Sequence, residues 1–591
     1  MKTVAASDAT AQQKRRFGPP RKPRRRTPEE LPAGGNASWL DRLGPWLGLI
    51  ALCLALYLPG LGSLPPTDRD EARFAQASRQ MAATGDLVRI QFQSEARNKK
   101  PVLIYWAQAA SAALTGQAPL EGKPAILVYR LPSAIGASAA VLLLFAVARR
   151  LGNQRSAFVA ASLLGAALLT VVEAHIATTD AALLATSVAV LGALALLYTG
   201  AARGVGTALM FWIGLGLAIL VKGPVVPMVA MLAIAALAIA DRSVAWLRYL
   251  RWAWGVPLAL LITAPWMIAI FAATGGGFYQ DAITQDLLPK LIGGQESHGA
   301  WPGTYLLLVM VCFFPGSLLL VPALARGWRL RRTPVERFCL AWLLPAWLLL
   351  ELVPTKLPHY VLPLYPALAL LAARALASLD GDRDALPRRG WMLAGAALWA
   401  LVAIAVAAIA LALPYLLEHR FDTAGALAAA IMLGGGGSAL IGFWAAVAGG
   451  ARRLPRPGLR AVMLAVGSTA VAFGLIIGTV LPGIAALWPS RSAAALVALH
   501  REAGAPVIAA GYSEPSLIFQ IGTGTMLGDG HAAAALLAGN KSALALVAGE
   551  EESGFRTAAA AAGIVVQAEG TIRGFNISRG KWLTLTLYRR A

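Results

Sequence analysis

Five short polar stretches, separated by long apolar runs, carry the residues of this chain that are capable of chemistry. They combine carboxylates, which accept protons or stabilise a positive centre, with cations, which bind phosphate groups. The stretches are residues 67–74, 98–106, 178–180, 222–225 and 355–366. A carboxylate beside clustered cations suits activation of an incoming hydroxyl and stabilisation of a departing phosphate.

The first stretch places Asp70 and Arg73 three residues apart, on one face of a helix that we expect to continue through residues 75–83. This helix has too few apolar residues to cross a bilayer, so we expect it to lie along the membrane surface. Taken alone, the pair is also typical of an exposed ion pair with solvated neighbours. Both interpretations stay open from these residues.

Two lysines, Lys99 and Lys100, open the second stretch immediately before Pro101. Proline favours the first turn of a helix, and lysine ammonium groups at a membrane surface bind phosphate. The alternative is that the same lysines extend towards lipid headgroups. This stretch therefore predicts a phosphate site or a membrane anchor.

The last three stretches place charged and aromatic groups at the ends of apolar runs. Asp180 is a carboxylate at the boundary of a span, where an unpartnered charge is costly. The other groups of this set are Lys222, Lys356, His359 and Tyr360. Each alone is typical of an interface anchor, but together on one membrane face they predict a cationic pocket for a lipid-linked phosphate.

The elements that must position these residues are apolar helices. The chain has 591 residues, of which 57% are hydrophobic and 14% charged, whereas soluble chains carry about 25% charged residues. Apolar runs long enough to cross a bilayer core of about 30 Å recur throughout. We predict a polytopic α-helical membrane protein with about 13 transmembrane helices. The predicted spans are 43–62, 126–148, 156–172, 181–199, 207–221, 224–240, 254–272, 303–324, 338–353, 358–376, 391–413, 425–449 and 461–482.

Most of the net charge of +22 follows membrane topology. Residues 1–40 are basic and proline-rich, so we expect a disordered cytoplasmic tail that sets orientation and does not bind nucleic acid. If the N-terminus lies in the cytoplasm, Arg149, Arg150 and the other arginine clusters between spans also lie on the cytoplasmic side. The outer loop 63–125 breaks the rule because it carries many basic residues, which indicates that they have a task there.

Three domains are expected: the tail 1–40, a transmembrane domain 41–484, and an extracytoplasmic α/β domain 485–591 that caps it. The last domain has strand-length apolar runs at 507–510, 543–547, 564–568 and 582–588. Helical patterns at 490–503, 531–538 and 550–562 alternate with these runs, which favours an α/β fold. The three cysteines lie in predicted spans, and a small buried thiol is the simplest interpretation of each.

The ordered set of motifs resembles the aminoarabinose transferase branch of the C-type glycosyltransferases, to which protein O-mannosyltransferases are more distantly related. The motifs are Asp70-Glu71-Ala72-Arg73-Phe74, Lys100-Pro101, Tyr105-Trp106, Thr179-Asp180, Lys222-Gly223-Pro224, Lys356-Leu357-Pro358-His359-Tyr360 and Leu362-Pro363-Leu364-Tyr365-Pro366. The likeness extends into the last domain through Glu514-Pro515-Ser516-Leu517 and residues 574–580.

The resemblance implies a C-type fold and inverting transfer of a sugar from a polyprenyl-phosphate donor, in bacteria undecaprenyl phosphate. It implies an acceptor that is lipid A or another envelope glycan, met at the outer face of the inner membrane. Asp70 would be the catalytic carboxylate. The expected donor ligands are Arg73, Lys99, Lys100, Lys222, Lys356 and Tyr360, with Glu71, Asp180, His359 and Tyr105 in support.

Two positions depart from the family pattern and bear on a metal. Lys99 stands where the family often has glutamate, and Leu287 lies where it often has a Glu-His pair. The resemblance implicates those positions in binding a divalent ion. We therefore expect no metal cofactor, and we hypothesise that Lys99 replaces the charge of the ion.

Three other functions fit parts of the pattern. A protein O-glycosyltransferase, or an enzyme with an oligosaccharide acceptor, would use the same fold. A transporter would explain helices broken by glycine and proline, but the charged set lies at span ends on one side and no two-fold repeat is visible. A non-catalytic envelope scaffold is the remaining alternative.

Overall fold

The computed structural model describes residues 39–67, 69–117, 125–292, 299–381, 385–448 and 456–591. Contacts divide the chain into two units, Met1–Leu47 and Gly48–Ala591. Of the first unit, the described residues are the beginning of one helix. Residues 1–38 of the expected tail, and Asp68 of the first polar stretch, lie outside the described residues.

Between residues 39 and 483 the described residues are mainly helical. Its helices are α1 Trp39–Tyr57, α2 Asp70–Thr84, α3 Leu103–Leu114, α4 Ile126–Leu151, α5 Gln154–Ala166, α6 Leu168–Ala174, α7 Asp180–Thr199, α8 Val205–Lys222, α9 Val225–Asp241, α10 Trp252–Thr274, α11 Gly277–Asp281, α12 Leu288–Ile292, α13 Thr304–Cys312, α14 Leu320–Arg329, α15 Pro334–Leu352, α16 Tyr365–Leu379, α17 Arg389–Glu418, α18 Thr423–Ala448, α19 Pro457–Leu475 and α20 Leu481–Gly483. Short 3-10 or π turns occupy Ala245–Leu250, Ala282–Leu287, Gly316–Leu319, Pro358–Leu364, Ile476–Val480 and Ala485–Leu487.

Within the described residues, eight helices are long and apolar enough to cross a membrane, or ten when each bent pair is one span. One such pair is α5 with α6, bent by 61°, and the other is α13 with Gly316–Arg329, bent by 117°. The remaining three predicted spans coincide with α1, α9 and α15, which fall outside this set. The multi-pass membrane architecture is as predicted, whereas the count of 13 stays a prediction. Residues 303–324 form a sharply broken pair of helices where a single span was expected.

Burial separates central helices from peripheral ones. The apolar window of α7 is 78% buried, whereas that of α10 is only 22% buried, as expected for a helix that faces lipid. Gly136 of α4 lies so close to the backbone of Ala181 that a Cβ there would approach it to 3.1 Å. Small residues of this kind allow helix backbones to pack closely in a membrane protein.

The last hundred residues form the expected α/β domain. Its elements are α21 Pro489–His500, β3 Val507–Ala510, α22 Pro515–Ile521, β4 Met526–Gly528, α23 Gly530–Gly539, β5 Leu544–Ala548, α24 Glu552–Ala561, β6 Val566–Asn576 and β7 Lys581–Arg590; a two-residue hairpin, β1 Gln91–Phe92 with β2 Glu95–Ala96, precedes α3. The sheet order is β4-β3-β5-β7-β6, with β3 parallel to β4 and β5 and with β7 antiparallel to its neighbours. Because β3 and β5 are buried on both faces, their runs are continuously apolar.

The helix α2 differs from the expected surface helix. It begins at Asp70 and ends at Thr84, and most of its residues are buried within the protein. Gln76 donates to Thr523 Oγ1 at 2.6 Å, and Gln93 donates to the carbonyls of Thr523 and Thr525, each at 2.9 Å. Polar groups of α2 and of the hairpin that follows it thus contact the C-terminal domain.

A fully buried ion pair fixes the N-terminal turn of α2. Arg130 Nε donates to Glu71 Oε1 at 2.6 Å, and both side chains have 0% exposure. The remaining Arg130 donors reach Glu71 Oε2 and the carbonyls of Leu61, Leu64 and Pro65. A buried pair is stable only when its other lone pairs and protons are satisfied, and this one meets that condition.

Replacement of Arg130 by alanine would leave the Glu71 carboxylate buried without its partner. We expect a loss of about 3–5 kcal/mol in folding stability, visible as a lower thermal unfolding temperature in detergent. Arg150→Ala is the matched control, because Arg150 lies on the same helix and is exposed. Equal unfolding temperatures for the two variants would contradict this account.

Candidate active site

Two adjoining cavities meet at a cluster of charged side chains. The polar cavity has a volume of about 220 Å³ and contains Asp70, Glu173 and Thr178 in its lining. The apolar cavity has about 440 Å³ and is lined mainly by aliphatic and aromatic residues of α8, α9, α10 and the segment 278–290. Six residues line both cavities: Lys100, Asp180, Lys222, Lys290, His359 and Tyr360. Charge is thus concentrated at one end of an apolar chamber.

Lys100 lies between α2 and the segment that follows α10. Its Nζ donates to Asp286 Oδ2 at 2.6 Å, and Lys290 Nζ donates to Asp286 Oδ1 at 2.6 Å. Burial lowers the pKa of Lys100 to about 8; Asp286 offsets part of this effect, and Lys290 adds to it. Burial opposes ionisation of Asp286, but the two lysines outweigh it and hold the pKa of that carboxyl below its usual range.

A second lysine–carboxylate pair closes the junction of the cavities. Lys222 Nζ donates to Asp180 Oδ1 at 2.6 Å. Asp180 is the first residue of α7 and Lys222 is the last residue of α8, so each charge lies at the helix end that favours it. Gly223 ends α8 with φ +61°, a backbone region that favours glycine, and so directs the chain into Pro224.

The carboxylate of Asp70 is the most accessible one in the polar cavity. Its side chain is 66% exposed, and it lies 4.0 Å from Arg73 Nη1 and 3.7 Å from Arg97 Nη2. These separations are too long for strong hydrogen bonds. Asp70 therefore faces the cavity with positive charge beside it and oxygen atoms available to accept a proton.

Aromatic packing holds Arg97 beside Asp70. The guanidinium lies 4.9 Å from the centre of the Phe74 ring, and Nε donates to the Tyr105 hydroxyl at 3.2 Å. Phe74 and Tyr105 are themselves stacked, with ring centres 5.1 Å apart. Tyr105 thus orients a cation and does not line either of the two cavities.

A further carboxylate, Glu173, also lines the polar cavity. Thr178 Oγ1 donates to it at 3.1 Å, and His359 Nδ1 lies 3.8 Å away. Tyr360, beside His359, has its ring centre 5.7 Å from Lys222 Nζ. The 358–364 turn therefore brings the last polar stretch to the same site.

Most of the predicted site residues come together, in different roles. Glu71 lines the polar cavity but is committed to Arg130. Arg73 and Lys99 line a neighbouring cavity of about 190 Å³, and Lys99 also reaches the apolar cavity. Asp70, Lys100, Lys222, Asp180, His359 and Tyr360 lie where the sequence predicted, around one site.

Lys356 is not brought to this site, contrary to expectation. It is buried, and its ammonium donates to the carbonyls of Glu351 at 2.7 Å and Val353 at 2.6 Å. These carbonyls belong to the end of α15, where orphan acceptors require a partner. Lys356 thus caps a helix in this structure, and the prediction that it contacts the donor phosphate is not supported.

Four residues of the site were not among the sequence candidates: Arg97, Glu173, Asp286 and Lys290. Asp286 and Lys290 are four residues apart, a spacing that favours an ion pair on one helix face. That spacing was the available signal, although it does not indicate the approach of Lys100 from another segment. Arg97 had no comparable local signal, because Asp70 and Phe74, which it contacts, are distant in sequence. Glu173 interrupts a predicted apolar span, and a charge there is costly without a partner.

The site does not fit the divalent ion that the family resemblance implies. Lys99 and Leu287, at the two departing positions, both line the apolar cavity, and neither offers a lone pair to a metal at neutral pH. The adjacent carboxylate, Asp286, already accepts from two lysines. In the described ranges, no group of three or more His, Cys, Asp or Glu side chains is arranged to hold a metal.

An apolar chamber ending in cations, beside an accessible carboxylate and within a bundle of apolar helices, is suited to a membrane-embedded transferase that holds a lipid phosphate. The fold agrees with this class. The crystal structure of ArnT from Cupriavidus metallidurans bound to undecaprenyl phosphate superimposes with a TM-score of 0.71, covering 92% of this chain and 98% of that chain at 20% identity. Its apo form gives a TM-score of 0.66 over the same coverage. The chain therefore has the C-type glycosyltransferase fold.

Sequence comparison finds relatives with a related fold and name. Residues 99–268 match the model for dolichyl-phosphate-mannose-protein mannosyltransferase. An undecaprenyl phosphate-alpha-4-amino-4-deoxy-L-arabinose arabinosyl transferase of Pseudomonas paraeruginosa is 29% identical over 65% of this chain and 69% of its own length. The enzyme of the same name from Pseudomonas aeruginosa is 30% identical over 62% of this chain and 66% of its own length. In sequence the chain is thus similar to the aminoarabinose transferases and, more distantly, to the protein mannosyltransferases.

An ammonium group, that of Lys99, stands where the family has a metal ligand. We therefore predict that the activity does not require a metal ion. We expect sugar transfer and the thermal unfolding temperature of the purified protein to be unchanged by a chelator and by added zinc. Activity that is lost to the chelator and restored by zinc would contradict it. Asp286→Ala, which frees Lys100 and Lys290, is expected to change donor affinity by the same factor with and without zinc.

Proposed function

We propose that the protein moves a sugar, with inversion, from undecaprenyl phosphate to lipid A or another envelope glycan. The observation that carries this proposal is the apolar cavity that ends at Lys100, Lys222 and Lys290. A polyprenyl chain needs an apolar chamber, and its phosphate needs cations at the end of that chamber. The names of the relatives favour 4-amino-4-deoxy-L-arabinose as the sugar.

The lysines would act on the donor as an electrostatic clamp. Each lies at the junction of the cavities and is already paired with a carboxylate, Asp286 or Asp180. A phosphate at the junction would take up part of the hydrogen bonding of these ammonium groups. Fixed cations at the leaving group stabilise the negative charge that develops as the glycosidic bond breaks.

Asp70 would act on the other side of the sugar. An acceptor oxygen attacks the anomeric carbon, and the bond from that carbon to the phosphate oxygen breaks with its electron pair leaving on undecaprenyl phosphate. Attack on the face opposite the phosphate inverts the configuration. If the acceptor is a hydroxyl, its proton passes to the Asp70 carboxylate; the same carboxylate stabilises the positive charge on the sugar.

The proposed location is the inner membrane of a bacterium, with the N-terminus in the cytoplasm and the C-terminal domain in the periplasm. Helix α4 supports this orientation. Its first turns lie beside Glu71 of the active-site segment through Arg130, and its last turn carries Arg149 and Arg150. Arginine at the far helix end favours the cytoplasm on that side, so the site would face the periplasm.

Asp70→Asn removes the proton-accepting charge but keeps the shape of the side chain. We expect at least a 100-fold loss of transfer, as is typical for an acid–base or electrostatic group, with binding of undecaprenyl phosphate retained. Mass spectrometry of lipid A from cells carrying the variant should lack the mass of one sugar. Asp86→Asn is the control, because Asp86 lies in the same segment outside both cavities and caps a local turn. Unchanged lipid A in the Asp70 variant would refute the catalytic role.

Donor affinity is expected to depend on pH through Lys100. The donor phosphodiester keeps one negative charge near neutral pH, whereas Lys100, with its pKa at about 8, loses its charge as pH rises through that value. The KM for donor should therefore increase between pH 7 and pH 9, by up to about tenfold. Lys100→Arg keeps its charge and should flatten the profile, and Lys99→Arg should not. Identical profiles for all three proteins would contradict this role.

A further inference from the structure

A third large cavity lies in the C-terminal domain, away from the two that form the active site. It has a volume of about 830 Å³ and shares no lining residue with them. The loops that follow β3 and β5 form one wall, at Gly511 and Gly549, and the β6–β7 hairpin forms the other. Crevices at the carboxyl ends of parallel strands are common ligand sites in α/β sheets. We refer to this cavity as the hairpin groove.

The hairpin groove is lined by cations and one large aromatic ring. Its charged side chains are Arg573, Arg579, Lys581 and Glu550, an excess of two positive charges. Trp582 is 43% exposed, and the guanidinium of Arg573 lies 4.8 Å from its ring centre. An exposed indole offers a flat face to a sugar ring, and arginine beside it offers a fork to a phosphate or carboxylate.

The one carboxylate does not cancel this charge. Glu550 lies 3.7 Å from Arg579, and the two side chains are 66% and 50% exposed. A pair that is this exposed is held weakly, so Arg579 is available to another anion. Arg573 and Lys581 are also exposed and face the same groove. The groove therefore fits an anionic carbohydrate better than an apolar chain.

The turn of the hairpin is fixed against the active-site segment. Asn576 is buried and donates to Glu514 Oε1 at 3.0 Å, and its side-chain carbonyl accepts from Arg579 N at 3.2 Å. Arg69 donates to the Ser578 carbonyl at 3.5 Å. Because Arg69 directly precedes Asp70, the turn that carries Arg579 lies beside the segment that carries the proposed catalytic carboxylate.

We infer that the hairpin groove binds the anionic sugar headgroup of the acceptor and presents it to Asp70. The inference rests on the proposed function, since the donor already has a lipid chamber and a phosphate clamp of its own. It also gives a role to two C-terminal motifs: Glu514 holds Asn576, and the turn 576–580 joins the groove to the active-site segment.

The test compares charge reversal at two exposed lysines of the same domain, Lys581 in the groove and Lys541 outside it. Purified protein receives undecaprenyl phosphate-linked aminoarabinose as donor and lipid A as acceptor. We expect Lys581→Glu to raise the KM for lipid A about tenfold or more while the KM for donor stays unchanged. Lys541→Glu should leave both constants within about twofold of those of the unaltered protein.

Two further measurements keep the outcomes separate. Trp582→Ala should raise the KM for lipid A without lowering the thermal unfolding temperature, and dephosphorylated lipid A should lose its dependence on Lys581. If both groove variants transfer sugar with an unchanged KM for lipid A, the inference is overturned while the proposed function stands. If the unaltered protein transfers no sugar but binds undecaprenyl phosphate, the proposed function fails. Binding of lipid A then tests the inference by itself: weaker binding by Lys581→Glu than by the unaltered protein supports it, and equal binding overturns it.

Discussion

The buried pair of Glu71 and Arg130 is the interaction on which the site depends. Glu71 accepts from Arg130, from the backbone and hydroxyl of Thr67, and from the backbone of Ala177. One carboxylate thereby joins the link after α1, the first turn of α2, the helix α4 and the loop before α7. Asp70 is its neighbour in sequence, and Asp180 follows Ala177 by three residues. The buried carboxylate of Glu71 therefore positions two other carboxylates of the polar cavity, those of Asp70 and Asp180.

The same segment receives the C-terminal domain. Gln76 and Gln93 bond to the 523–525 loop, and Arg69 bonds to the hairpin turn, so the domain rests on the residues around Asp70. A helix with polar groups on several faces is unusual at a membrane surface but is suited to contact protein on each side. These contacts place the C-terminal domain directly against the segment that carries Asp70.

Local pattern predicted the membrane architecture, the α/β domain and much of the site, because apolar runs and strand–helix alternation are local properties. It also singled out Asp70, Lys100, Asp180 and Lys222, which the fold brings to one cavity and whose roles stay predictions. It was wrong about Lys356, whose partners are backbone carbonyls that carry no sequence signal. It also missed Lys290 as a site residue, since only the fold brings Lys100 to the same carboxylate. Whether these two lysines belong to the site depends on contacts between distant segments, which residue type alone does not reveal.

The lysines of the clamp each have a carboxylate at 2.6 Å before any lipid arrives. An incoming phosphate must share these ammonium groups with Asp286 and Asp180, which reduces the net gain on binding. On the proposed function, the same carboxylates would pair with the lysines again when the lipid carrier leaves. A carrier that has lost its sugar would then be released readily, at the cost of affinity in the ground state.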